Sequence, residues 1–191
     1  MKQYASLVAF FMIVALPLAK SQDSLVIQPQ YIKVYAQNNL LEMLSHIPVG
    51  QESLYGFNNR EEFYKAQANE ALKFVIYDDS LSQNTFSWRL PISVDGEYRA
   101  LLTIEEHKGV LRLADFGAAV LAKDIQEHSS ANVDCIGILR AYHFGGDFII
   151  VLKQGQQLYL PLTSACRSIA SKHLKRKPYY DIKELNKMLA L

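Results

Sequence analysis

Residues 86–105 read FSWRLPISVDGEYRALLTIE, and they give the clearest prediction of secondary structure in the chain. On both sides of Asp95-Gly96, apolar residues recur at every second position, which is the period of a β-strand. An Asp-Gly pair between two such runs favours a two-residue hairpin turn, because both residues tolerate a positive φ. The pattern therefore predicts a hairpin with strands 86–94 and 97–105. Each arm has one apolar face, formed by Trp88, Leu90, Ile92 and Val94 in the first and by Tyr98, Ala100, Leu102 and Ile104 in the second.

More strands and helices are predicted on both sides of this hairpin. The same two-residue alternation predicts strands at 72–77, 110–113, 133–142, 147–153 and 156–162. Helical spacing predicts a short helix from Asn38 to a stop before Pro48, and others at 60–68, 115–126, 163–173 and from 182 onward. Asn59, Asp115 and Asp181 are the predicted N-caps of three of these helices, because their side-chain oxygens accept hydrogen bonds from free backbone amides.

The order of these elements predicts the α+β class. Strands joined by tight turns must be antiparallel, and helices set beside such a sheet are typical of this class. We expect a bent antiparallel sheet of about six to seven strands packed on the central 115–126 helix, with N- and C-terminal helices. A two-sheet β-sandwich with peripheral helices is the alternative.

Two prolines mark candidate edge strands. Proline lacks the amide proton that a ladder needs, so the strand containing Pro91 is expected at an edge or bulged there. Pro161 likewise indicates an edge position for the strand 156–162. A partner's strand can add to such an edge.

The N-terminus has the three parts of a secretory signal. Lys2 precedes fifteen mostly apolar residues, 5–19, and Ala19 and Ser21 have the spacing that signal peptidase requires. The apolar run is shorter than the roughly 20 residues of a spanning helix. We predict a signal peptide at 1–21, cleavage after Ser21, and a periplasmic or secreted single domain at 22–191 without stable membrane insertion.

The composition of the remaining chain excludes some partners. Without Lys2 and Lys20, the 20 basic residues become 18 against 19 acidic residues, so the mature net charge is −1. A near-neutral protein has no field that would recruit nucleic acid, so no nucleic-acid partner is predicted. Half of the chain is apolar, which indicates a folded core.

The two cysteines, Cys135 and Cys166, predict a disulfide in an oxidising compartment. Closing this loop of roughly 30 residues would stabilise the fold by about 3–4 kcal/mol. The alternative is two free buried thiols. Cys166 at a helix start, with His107, His143 or His173 as the base, would also suit a thiol hydrolase, although no local signature surrounds it.

No cofactor or metal site is predicted. The histidines at 46, 107, 128, 143 and 173 are scattered, without the paired spacing of zinc ligands. Gly145-Gly146-Asp147 lacks the ending of a phosphate loop and precedes a strand, so a hairpin turn explains it. The basic run 172–177 is interpreted as a solvated connector, with a patch for an anionic partner as the alternative.

Three stretches carry a resemblance to known proteins. Residues 47–63 (IPVGQESLYGFNNREEF), 88–104 (WRLPISVDGEYRALLTI) and 115–125 (DFGAAVLAKDI) resemble uncharacterised exported proteins of Gram-negative bacteria. The resemblance implies a periplasmic or secreted protein. It implies no activity and no catalytic residues.

The sequence therefore favours a non-enzymatic exported domain that binds a protein, a peptide or a small ligand. Aromatic residues near the concave sheet face, Trp88, Tyr98, Tyr142 and Phe144, are the candidate binding residues. One alternative is a protease inhibitor or prosegment-like domain that presents the edge strand 88–94. The other is a thiol hydrolase that uses Cys166.

Overall fold

The structure is a computed structural model that describes residues 28–77, 86–107, 109–129 and 133–190. The predicted signal peptide, 1–21, lies outside these residues. The described chain forms helices on both faces of one open sheet, so the predicted α+β class is confirmed. None of the described helices is both long and apolar enough to cross a lipid bilayer.

The sheet has eight strands. They are β1 (Gln67–Ala68), β2 (Leu72–Tyr77), β3 (Phe86–Val94), β4 (Glu97–His107), β5 (Val110–Gly117), β6 (Asp134–Ala141), β7 (Gly146–Lys153) and β8 (Gln156–Pro161). Their order across the sheet is β5-β4-β3-β2-β6-β7-β8, and β1 pairs with β3 beyond the start of β2. Every pair is antiparallel except β2 with β6.

The parallel pair results from a crossover. After β5 the chain forms α2 (Ala119–His128), crosses one face of the sheet, and enters the other half as β6. Such a connection brings the new strand in parallel to its neighbour, whereas tight turns can only join antiparallel strands. The crossover places β2 in the interior of the sheet, between β3 and β6, whereas β3 is interior because it pairs with β4 and β2.

The two faces of the sheet are covered differently. On one face, α1 (Pro29–Ser45) packs on β3 and β4, and α3 (Thr163–Ser171) with α4 (Ile182–Leu189) packs on β6, β7 and β8. On the opposite face, α2 is the one described helix, and its Ala122 and Ile125 pack on Leu101, Ile138 and Ile149. We call this second face the α2 face. Helix α2 covers one end of it and leaves the other end open.

The predicted hairpin is confirmed. Asp95 and Gly96 have φ values of 51° and 84°, as the turn type requires. Trp88, Leu90 and Ile92 pair with Ile104, Leu102 and Ala100, and all six are buried on the α1 side. Alternation thus selected the correct inward face for these six residues. The face predicted for Tyr98 is wrong, because a register shift between Ile92 and Ser93 pairs Tyr98 with Ser93 and turns it to the opposite face.

Two helices begin elsewhere than predicted. Helix α1 begins at Pro29 and not near Asn38, with one buried residue per turn, Ile32, Ala36, Leu40 and Leu44. Asp115 is not the N-cap of α2, because β5 stays paired with β4 as far as Gly117. Helix α2 instead begins at Ala119, after a left-handed residue, Ala118, with a φ of 53°.

The predicted N-caps Asn59 and Asp181 are confirmed. The Asn59 side chain accepts hydrogen bonds from Glu61 and Glu62 at the start of a short 3₁₀ helix, Arg60–Lys65; another 3₁₀ helix spans Glu52–Tyr55. Asp181 and Glu184 form a full capping box on α4. Helix α3 has no cap from its own N-terminal residue. Asp124 of α2 caps it from outside, accepting hydrogen bonds from the backbone amide (2.9 Å) and hydroxyl (2.7 Å) of Thr163.

The two proline-marked strands have different positions. β8 lies at an edge of the described sheet, as Pro161 predicts. β3 does not, so the edge position expected from Pro91 is wrong, and so is the exposed strand 88–94 assumed for a protease inhibitor. Pro91 lies opposite the gap between β1 and β2, where Asn69 donates two hydrogen bonds to its carbonyl. A partner strand that is broken there requires no amide from Pro91.

Candidate functional site

One row of polar side chains crosses the open end of the α2 face. Arg89 of β3 pairs with Thr103 of β4, which pairs with Asp115 of β5. Directly opposed residues on neighbouring strands point to the same face of a sheet. The three side chains are therefore neighbours, with Thr103 between the other two.

A β-bulge places Asp115 in this row. The register of β4 and β5 shifts between Thr103 and Ile104, so that Leu113 opposes Ile104 while Asp115 opposes Thr103. Ala114 is the extra residue. In a regular register Ala114 would oppose Thr103, and Asp115 would oppose Leu102 and point into the core beneath α1. Bulges often re-aim a side chain in this way at the edge of a sheet.

A cavity of about 430 Å³ lies over the row. Its volume falls within the range typical of small-molecule sites. Phe74, Ile76 and Ala114 supply apolar surface. The polar lining residues are Ser87, Arg89, Thr103, Glu105, Glu106, His107 and Asp115.

Arg89 is the one arginine among the described lining residues, and no described carboxylate forms an ion pair with it. Its guanidinium carbon lies 3.7 Å from the centroid of the Phe74 ring. Its Nε and Nη1 are buried, and no described residue accepts a hydrogen bond from them. Burial lowers the pKa of Arg89 below its ordinary value, and the positive charge of Arg140 lowers it further. The negative charges of Asp147 and Asp115 raise the pKa of Arg89 in the opposite direction, but less than burial lowers it. Arg89 is therefore a partly desolvated cation whose charge is only partly compensated.

Arg140 provides the contrast. Its guanidinium carbon lies 5.7 Å from the centroid of the same Phe74 ring. Unlike Arg89, it forms a two-pronged ion pair with Asp147, with Nε–Oδ1 and Nη2–Oδ2 distances of 2.7 and 3.2 Å. Ser164 also donates a hydrogen bond to Asp147, and the hydrogen bond from Arg140 to Asp147 raises the pKa of Arg140. Arg140 thus has an ion-pair partner, whereas no described carboxylate is hydrogen-bonded to Arg89 Nε or Nη1.

The carboxylates of the cavity have only local partners among the described residues. Glu106 accepts a hydrogen bond from the Gly109 amide, and Asp115 Oδ1 accepts one from the Phe116 amide at 2.8 Å. Glu105 lies opposite Arg112 in the ladder. None of the three carboxylates is paired with Arg89.

The predicted aromatic binding residues do not share one surface. Trp88 is buried beneath α1, and Phe144 is buried with α3 and α4. Tyr98 is partly buried at the α2 end of the opposite face, where its amide donates to Gln126. Tyr142 is exposed, with its ring centroid 5.8 Å from the guanidinium carbon of Arg140. The structure brings none of these four to the cavity.

The predicted disulfide is wrong, because both cysteines are free. Cys135 packs with the core beneath α2, whereas α3, which carries Cys166, packs its buried residues against the opposite face. Burial raises the pKa of Cys135 to about 11, so this thiol is protonated at neutral pH. Cys166 Sγ donates a hydrogen bond to the Pro161 carbonyl (3.6 Å), and no described histidine hydrogen-bonds to it.

Two other polar groupings have structural explanations. Asp124, Glu127 and His128 lie close enough to share a cation, but both oxygens of Asp124 already serve as the cap of α3. The basic run 172–177 connects α3 to α4, and its Lys177 pairs with Glu184. It borders a groove of about 360 Å³ beside Leu174 and Met188.

Sequence reasoning missed Arg89, Thr103 and Asp115. Arg89 and Thr103 occupy the positions of the hairpin that alternate with the core residues, where polar side chains ordinarily meet water. The sequence contains one indication of the site, namely that both residues fall on the hairpin face opposite to the core residues. Comparisons with protein-family models, curated proteins and solved structures found no match to this chain.

Proposed function

We propose that the chain is an exported, non-enzymatic binding domain that holds a small ligand in the Arg89 cavity through an anionic group of that ligand. The proposal of export rests on the N-terminal pattern of a charged residue, an apolar run and a small-residue cleavage site. The proposal of binding rests on the open end of the α2 face.

One observation carries the binding proposal, namely the difference between two neighbouring arginines. Arg140 and Arg89 both lie near Phe74, but within the described part of the chain only Arg140 forms an ion pair with a carboxylate. A buried guanidinium N–H group without an acceptor lowers the stability of the folded state, and such groups are rare in native proteins. An anionic ligand group would supply the missing acceptors, because guanidinium and carboxylate form charge-assisted hydrogen bonds of matching geometry.

The lining supports binding more than catalysis. Ser87 and Thr103 offer hydroxyl groups, and His107 offers a base. No hydrogen bond between described residues joins either hydroxyl to His107 or to a lining carboxylate. Activation of a hydroxyl nucleophile requires such a contact.

Thermal unfolding in the presence of small anions tests the proposed site. We expect acetate, phosphate or a zwitterionic amino acid, at millimolar concentration, to raise the unfolding temperature of the wild-type protein, because a ligand that binds only the native state stabilises it. Arg89→Met should abolish this rise. Arg167→Met is the matched control, since it removes the same charge from an exposed position on α3, outside the cavity lining. An equal rise in wild type and Arg89→Met would overturn the proposal.

Export has a separate test. N-terminal sequencing of the protein from its native cells should begin near residue 22, in an extracytoplasmic fraction. A sequence that begins at Met1 in the cytosol would overturn this part of the proposal and leave the cavity proposal standing.

A further inference from the structure

We infer that the ligand is a zwitterion of the amino-acid type, with its carboxylate on Arg89 and its ammonium group on Asp115. This inference rests on the proposed function, because it assumes that the Arg89 cavity binds a ligand. It goes further by assigning the ligand's second charge and the residue that recognises it.

The first support is the position of the opposite charges. Neighbouring strands lie about 4.8 Å apart, so the backbones of Arg89 and Asp115 are about 10 Å apart, with Thr103 between them. The long arginine side chain and the shorter aspartate can therefore hold two groups of one small molecule. The Asp115 charge acts on Arg89 through space, but the two side chains are not in direct contact as an ion pair, so a ligand can lie between them.

The second support is the bulge at Ala114. The register shift there places Asp115 on the cavity face, between Leu113 and Phe116, which pack on the core face. Asp115 is exposed, and its Oδ2 accepts no hydrogen bond from any described residue. An ammonium group, which has three donors and no acceptor, matches that free oxygen.

The third support is the charge balance of the cavity. Arg89 is the one permanent cation among the described lining residues, against the three carboxylates of Glu105, Glu106 and Asp115. A ligand with only negative charge would be attracted by Arg89 but repelled by the rim. A zwitterion gains from both signs. This favours an amino acid over an inorganic phosphate or a simple carboxylate.

The test compares charge-matched probes on the full mature chain. The common amino acids are first screened by thermal shift, and the strongest is then titrated by calorimetry beside its N-acetyl and its amide derivatives. The N-acetyl form lacks the ammonium group and the amide lacks the carboxylate. We expect each derivative to bind about tenfold more weakly than the free amino acid, since each loses one charged contact.

Variants identify the recognising residues. Asp115→Asn should weaken binding of the free amino acid about tenfold and leave the affinity of the N-acetyl derivative unchanged. Glu127→Gln is the control, because it removes the same charge from an exposed position on α2. Circular dichroism and the unfolding temperature of each variant establish that it is folded.

The outcomes distinguish failure of the zwitterion inference from failure of the proposed function. If the N-acetyl derivative binds as tightly as the free amino acid, the zwitterion is refuted while binding at Arg89 stands. The same holds if no amino acid binds but acetate stabilises the protein in an Arg89-dependent way. If no amino acid and no simple anion binds, both the inference and the proposed function are refuted.

Discussion

The guanidinium group of Arg89 lies over the Phe74 ring, with its carbon 3.7 Å from the ring centroid and without a hydrogen-bond acceptor at Nε or Nη1 among the described residues. The aromatic face compensates for part of the lost hydration of the cation, typically by about 0.5–2 kcal/mol. It leaves Nε and Nη1 without an acceptor among the described residues. In the proposed complex these two donors bind the anionic group of the ligand.

The first prediction concerns Arg89 and stability. Because Arg89 is desolvated and unpaired, Arg89→Met should leave the free energy of unfolding unchanged or raise it by about 1 kcal/mol. Urea unfolding without ligand measures this. A loss of more than about 2 kcal/mol would show that Arg89 has a structural role, and would contradict the account.

The second prediction concerns the paired arginine. Asp147→Asn should lower the free energy of unfolding by about 2 kcal/mol, because it leaves the partly buried Arg140 without its counter-charge and disturbs the hydrogen bond from Ser164. Asp134→Asn, at an exposed position on β6, serves as the control and should change stability little. Equal effects of the two substitutions would refute the assigned role of the Arg140–Asp147 pair.

The third prediction concerns the cap that joins two helices. Asp124→Ala should destabilise the protein by about 1–2 kcal/mol, because the first amide and the hydroxyl of α3 lose their acceptor. Glu127→Ala, one turn further along α2, should have a much smaller effect. If Glu127→Ala costs as much as Asp124→Ala, the effect arises from α2 itself and the cap assignment fails.

The fourth prediction concerns the cysteines. Mass spectrometry of the unreduced protein should show two free thiols, and Cys135 should react slowly with iodoacetamide at neutral pH, faster as the pH approaches 11. The unfolded thiol loses its proton near pH 8.5, below the folded pKa of about 11, so stability should fall as the pH rises through this interval. Cys135→Ala should reduce that fall. A mass two hydrogens lower, which reduction restores, would instead establish the disulfide.

Much of the fold could be predicted from local chemistry. The Asp95-Gly96 turn, the Asn59 cap and the Asp181 capping box each depend on a few adjacent residues, and each is present. The start of α2 was predicted wrongly because Asp115 suits an N-cap locally. Pairing with β4 extends β5 to Gly117, and this tertiary contact outweighs the local preference.

The site could not be predicted because it depends on strand order. Pro91 indicated an edge strand, but β3 pairs with β4 on one side and with β1 and β2 on the other, so it lies within the sheet. Arg89 thereby changes from an ordinary solvent-facing residue into a partly buried one. The aromatic residues predicted to bind lie on both faces of the sheet. Most of them pack in or against one of three separate core clusters, because burial of apolar surface stabilises the fold.

The most direct test of the central claim is the NMR signal of the Arg89 Nε–Hε group, assigned with Arg89→Lys, during titration with the amino acid that binds most strongly. We expect this signal to shift in proportion to the fraction of protein with ligand bound. The corresponding signal of Arg140, which is already hydrogen-bonded to Asp147, should stay nearly fixed. An Arg89 signal that does not move when the protein is saturated with ligand would contradict the account.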